Sequence, residues 1–173
     1  MIIANYHQIR HKLKTGDIIG VQTGNRATRL FQWLTCREKY YADVTHIGVL
    51  VWRGTRLHVA EMDGRYNVER PLSQYVGAYD RIMFFRPDID QDKALSAIND
   101  AMQDIVHYDV SDFFSVGLRV LFGVMADKNK REILCTQFAC QILRECGVEI
   151  PDYPLAPAEV CAYLKPPLYE VRR

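Results

Sequence analysis

An excess of charge of either sign is what this sequence most plainly lacks. Its 22 Lys and Arg residues oppose 21 Asp and Glu, a formal net charge of +1 over 173 residues. A nucleic-acid-binding face or a polybasic membrane patch needs a basic surplus, so composition supports neither role. The stretch HQIRHKLK near the start is locally basic, as solvated edges commonly are. A long apolar run is also missing. The opening MIIANYHQIR lacks the apolar core of a signal peptide. The most apolar segment, FFSVGLRVLFGVM from Phe113 to Met125, is too short to cross a bilayer and carries Arg119. No CxxC pair is present, which removes the usual ligand pattern of a structural zinc site. No repeat, low-complexity tract or linker divides the chain, so its length fits one domain, residues 1–173. The 5 cysteines are an odd, scattered set that suits a reducing compartment with free thiols. The expectation is a soluble, cytoplasmic protein with no nucleic-acid partner and no stable membrane insertion.

What is present is an ordinary globular composition, 49% hydrophobic and 25% charged. The first half reads mainly as strands: Gly16–Gln22, Thr45–Trp52, Arg56–Met62, RYNVERPL and Asp80–Pro87. A tight turn at Arg53 to Thr55 joins the second and third. Asp63-Gly64 marks another hairpin, because both residues tolerate positive φ. NRATRLFQWLT, Asn25 to Thr35, has helical spacing. From Asp88 onward helices dominate. Ala94, Ala97, Ile98, Ala101, Met102 and Ile105 recur with a helical period, and Asp88 is placed to cap them. SDFFSVGLRVLFGVM forms a second helix, and a third starts near Cys135 and ends at Gly147. APAEVCAYL makes a short last one, with Pro157 in its first turn. Strands followed by helices predict an α+β domain, an antiparallel β-sheet or half-barrel packed against helices.

Cys135 carries the chemical interest. It shares a buried helical stripe with Phe138, Ala139, Ile142 and Cys146, but at the open N-terminal end. Unpaired backbone N–H groups and the helix dipole favour an anion there, and a thiolate is one. The plainer alternative is a small buried apolar side chain, which also describes Cys36, Cys140, Cys146 and Cys161. A nucleophilic thiol needs a base. Of 5 histidines, His7 and His11 lie in a polar segment and His107 sits near a helix end. His46 opens an apolar strand, and His58, inside the next strand, is its rival. Side chains alternate along a strand. With a two-residue turn, either Arg53-Gly54 or Gly54-Thr55, His46 and Glu61 face the same way and His58 the other. A three-residue turn pairs His46 with His58 instead. Two-residue loops are the commonest, which favours Glu61.

Five segments taken in order, GDIIGVQTGN, THIGVLVW, HVAEMDG, HYDVSDFF and CTQFACQIL, resemble the permuted papain-like enzymes of the NlpC/p60 superfamily, in particular the YiiX/YaeF-like amidase group. The likeness runs from about Thr15 to the region of Pro157 and rests on Gly16-Asp17, Thr45-His46-Ile47-Gly48, Glu61, Tyr108-Asp109 and Cys135-Thr136-Gln137. It implies a circularly permuted papain-like fold in which Cys135 is nucleophile, His46 general base and Glu61 the orienting acid of a cysteine hydrolase acting on an amide or acyl bond. Gln22 or Thr23, just past the first strand, are candidates for an oxyanion donor, and Tyr108 for the cleft wall. No metal or organic cofactor is required. The substrate is a small-molecule, peptide or lipid-like acyl compound. Two alternatives stand beside this reading. One is a lipid acyltransferase or thioesterase of the lecithin:retinol-acyltransferase-like type, toward which the Phe113–Met125 run leans. The other is a non-catalytic binding module on the same fold.

Overall fold

Alternating apolar residues and short even-length turns build most of one sheet. In the computed structural model the described residues are 2–3, 5–22, 39–63, 66–103, 135–153, 155–164 and 166–172. The expected helix at Asn25–Thr35, the Phe113–Met125 helix, Cys36, His107 and Tyr108-Asp109 all lie outside them. Among the described residues seven strands are present: β1 (Ile2–Ile3), β2 (Ile18–Val21), β3 (His46–Arg53), β4 (Arg56–Asp63), β5 (Tyr66–Pro71), β6 (Arg81–Phe85) and β7 (Tyr169–Arg172). They lie in the order β1-β7-β6-β2-β3-β4-β5. Six pair antiparallel, and β1 adds to β7 in parallel. Five α-helices are described: α1 (Tyr6–Ile9), α2 (Leu72–Ala78), α3 (Gln91–Gln103), α4 (Cys135–Glu145) and α5 (Pro157–Leu164). The expected mixed α+β class with an antiparallel sheet is therefore present.

Each face of the sheet packs its own core. Ile18, Ile47, Val49, Val51, Met62 and Phe85 meet Ala97 and Ile98 of α3, Phe138 and Ile142 of α4, and Val160 of α5. Ile19, Val21, Leu50, Val59 and Phe84 meet Tyr6 and Ile9 of α1 and Leu72 and Tyr75 of α2. Phe84, Phe85 and Phe138 are fully buried, and burial of such a side chain contributes about 1.5 to 3 kcal/mol each. The cap of α3 is Asp90 rather than the expected Asp88: its Oδ1 accepts the N–H groups of Asp92 and Lys93, each at 2.9 Å. At the other end of α4, Gly147 takes φ +89°, the left-handed turn expected of it. Among the described residues no helix is long and apolar enough to cross a membrane.

The hairpin that positions the site is β3–β4. Arg53 pairs with Arg56, so the turn is Gly54-Thr55, with Gly54 at φ +58°. Two-residue turns of this kind need positive φ, which glycine adopts without steric cost. Backbone pairing runs from that turn to Val49↔Ala60 and stops, although β3 continues to His46 and β4 to Asp63.

Candidate active site

His46 stands at the end of β3, across from Val21 of β2. Glu61 lies on β4 and faces the same way as His46, because the even-length turn preserves strand parity. Continuing the observed register sets Gly48, rather than His46, across from Glu61. The two side chains thus meet diagonally, with His46 Nε2 at 2.5 Å from Glu61 Oε2. Glu61 is 2% exposed and His46 20%. Gly48 makes this approach possible, since a Cβ there would sit 3.3 Å from the Cβ of Glu61 and 2.5 Å from Cγ1 of Val59.

Cys135 is the first residue of α4, whose body packs on the opposite face of β3 and β4. Its half-buried sulfur reaches the open end of the hairpin and faces the His46 ring. Nε2 is taken by Glu61, which leaves Nδ1 for the sulfur. Two backbone N–H groups also donate to the sulfur, those of Ile47 and Thr136. The Thr136 donor belongs to the first turn of α4, where N–H groups have no helical partner. The Ile47 donor is freed by the hairpin itself. Hydrogen-bonded pairs alternate along an antiparallel ladder, and Ile47 falls where the next pair, with Met62, would form if β3 and β4 had stayed zipped.

The electrostatics follow from this geometry. Burial pushes the Cys135 thiol up, but the facing imidazolium and the N–H donors outweigh it and hold the thiol below its ordinary value. Burial pushes His46 down, yet the sulfur's charge and hydrogen bond, with Glu61 behind, raise it to about 10. Both shifts favour the thiolate–imidazolium form of the pair. Cys140, deeper in α4, shows the contrast: burial dominates and raises it to about 11.

The other expected residues divide clearly. His58 points to the opposite face, with Nδ1 3.7 Å from Glu69 Oε1, so it is no rival base. Gln22 stands one residue beyond Val21, at the same sheet end as His46, and is half-buried. Thr23 and Tyr108 lie outside the described residues. Gly16-Asp17 sits at the far end of β2 and is structural there: buried Asp17 accepts from Arg86 at 2.8 and 2.7 Å and from the Lys14 N–H at 2.8 Å. The sequence reading missed Arg70, which holds the other oxygen of Glu61 at 3.0 Å. Its signal was strand parity carried one strand further, into RYNVERPL.

A mixed α+β chain in which the start of a helix brings a Cys to a His and a Glu of an antiparallel sheet is the class that fold and geometry define. No protein-family model matches it, and no curated protein matches it. Among solved structures, the metalloprotein YiiX of Escherichia coli O157:H7, described as DUF1105, is similar, with 18% identity and a TM-score of 0.55. The match covers 78% of this chain and 66% of that one, and at this identity the likeness is one of fold. YiiX is described as a metalloprotein. Here, among the described residues, no group of three or more His, Cys, Asp or Glu side chains is disposed to hold an ion. Cys135, His46 and Glu61 do not converge on a common centre. The ring lies between the other two, with both nitrogens engaged.

Proposed function

We infer that the protein is a cysteine hydrolase of the permuted papain-like type, cleaving an amide or acyl bond through a thioester acyl-enzyme. The observation that carries this reading is the alignment of three side chains remote in the chain: sulfur, imidazole and a buried carboxylate 2.5 Å from the ring. In the proposed reaction the Cys135 thiolate attacks the carbonyl carbon, and its electron pair forms the C–S bond. Negative charge moves to the carbonyl oxygen, for which the Cys135 N–H at the start of α4 is one donor and Gln22 the candidate second. His46 passes its proton to the leaving amine or alcohol as the scissile bond breaks. The now neutral ring takes a proton from water, whose hydroxyl attacks the thioester and restores acid and thiolate. Glu61 fixes the ring's orientation and stabilises its charged form throughout. A reducing compartment such as the cytoplasm suits this nucleophile.

The test is alkylation of the full chain with iodoacetamide at pH 6, with the modified residue read by peptide mapping. Cys135 is expected to react on the order of 10- to 100-fold faster than an ordinary free thiol, because its lowered thiol holds more thiolate at this pH. His46→Ala should remove that advantage. Cys135→Ser should stay folded and lose acyl release from every substrate class on which the wild type works, with peptide, isopeptide and lipid acyl probes separating the classes. A Cys135 no faster than glutathione, and indifferent to His46→Ala, would end the proposal.

A further inference from the structure

His46 occupies only one oxygen of Glu61. The other, Oε1, accepts from Arg70 Nη1 at 3.0 Å, and Nη2 of the same guanidinium donates to Asp63. Strand pairing explains the reach. Arg70 of β5 lies across from Val59 of β4, and Val59, Glu61 and Asp63 share one face by alternation. Imidazole, carboxylate, guanidinium and carboxylate therefore form one line leading outward, from Glu61 at 2% exposure to Arg70 at 41% and Asp63 at 51%. The groups facing Glu61 are His46 from β3, Arg70 from β5, Asp63 on its own strand, Tyr75 in the middle of α2 and Tyr79 just after it. The Tyr75 hydroxyl makes no regular hydrogen bond, and burial together with Glu61 holds it protonated. Arg70 is thus the permanent cation on the carboxylate.

A carboxylate steadies an imidazolium best when its oxygen is held in line with the ring N–H, and a guanidinium bonded to its other oxygen supplies that hold. When Glu61 is not so held, it steadies the His46 imidazolium less, and the Cys135 sulfur takes up a proton at a higher pH. We propose that Arg70 is a positioning residue for this site: its guanidinium, fixed between Glu61 Oε1 and Asp63, aims Glu61 Oε2 at His46 Nε2 and so sets the lower pH limit of the reactive Cys135 thiolate. The inference rests on the cysteine-hydrolase reading.

The experiment measures iodoacetamide alkylation of Cys135 from pH 4.5 to 8.5 in the wild type, Arg70→Met, Arg70→Lys and Asp63→Asn. In Arg70→Met the acid limb is expected to move up by about one pH unit, a rate loss of roughly tenfold at pH 5.5. At pH 8.5 the rate should stay within about twofold of wild type, because even an ordinary thiol is about half ionised there. Arg70→Lys keeps the charge and should restore the wild-type limb to within about threefold. Exposed Asp63→Asn, which loosens Arg70 without removing it, should shift the limb the same way by a smaller step, and it keeps the test available if Arg70→Met does not fold. An Arg70→Met profile that superimposes on wild type while the melting temperature falls would make Arg70 a structural tie and overturn the proposal. So would an Arg70→Lys profile as damaged as that of Arg70→Met, or, where only Asp63→Asn folds, an unshifted limb in that variant. A wild-type Cys135 without enhanced reactivity is a different failure, because it removes the hydrolase reading itself.

Discussion

Two glutamates are buried in this sheet, each beside an arginine, and they do different work. Glu170 of β7, fully buried, accepts from Arg81 Nε at 2.9 Å and also from Tyr40 and Arg172. Arg81 in turn reaches Asp43 at 2.7 Å and lies over the Tyr40 ring at 4.7 Å. Burial raises the Glu170 carboxyl, and its donors overcome that and bring it down to about 2. The cluster braces the turn at Lys39–Tyr41 against β6 and β7. Glu61 has one permanent cation and gives its remaining oxygen to an imidazole that touches a thiol. Buried ion pairs are poor evidence of function taken alone. What distinguishes Glu61 is a partner that can lose and regain a proton next to the Cys135 sulfur.

Replacing each carboxylate by its amide should separate the two roles, with the largest effects expected of any test of the comparison. Glu61→Gln is expected to slow Cys135 alkylation at pH 6 by on the order of 100-fold, since a neutral amide cannot stabilise the imidazolium. Glu170→Gln should leave alkylation unchanged but cost about 3 to 5 kcal/mol of unfolding free energy by leaving Arg81 without its buried counter-charge. Alkylation and urea titrations on both variants check the crossing, and equal effects on both readouts would erase the distinction. The pH dependence of stability should differ as well. Glu170 is held below its ordinary 4.5, so its contribution is present above that value and lost as pH falls toward about 2. His46 is raised from 6.5 to about 10, so its contribution is present below 6.5 and lost as pH rises through about 10. Glu170→Gln should therefore flatten the acid limb of the stability curve, and His46→Ala the alkaline limb.

The shared face of His46 and Glu61 was legible in the sequence because it depends only on an even number of turn residues. Their diagonal placement was not, because the choice between Arg53-Gly54 and Gly54-Thr55 is made by φ at Gly54. The start of α4 at Cys135 followed from apolar spacing. The N–H of Ile47 on the sulfur had no signal, since it arises where β3 and β4 part, a tertiary event. Arg70 was missed although its strand was identified, because a charged residue on a half-exposed strand usually points to solvent. Helices α1 and α2 and strand β7 escaped notice because each is too short to show a period.

The smallest expected effect sharpens the comparison most finely, because it alters no charge. In Gly48→Ala the new Cβ meets Val59 Cγ1 at 2.5 Å and the Ala60 carbonyl oxygen at 3.2 Å. Val59 is β-branched and fully buried, so it cannot rotate away freely. The strands must part slightly, which should cost about 1 to 3 kcal/mol. Glu61 then moves relative to His46, while Glu170, held across β7 and β6, does not. Alkylation of Cys135 at pH 6 should fall a few-fold, well short of the loss in Glu61→Gln. A variant that loses stability yet alkylates at the wild-type rate would show that hairpin spacing does not tune the Glu61–His46 contact, and that Gly48 serves packing alone.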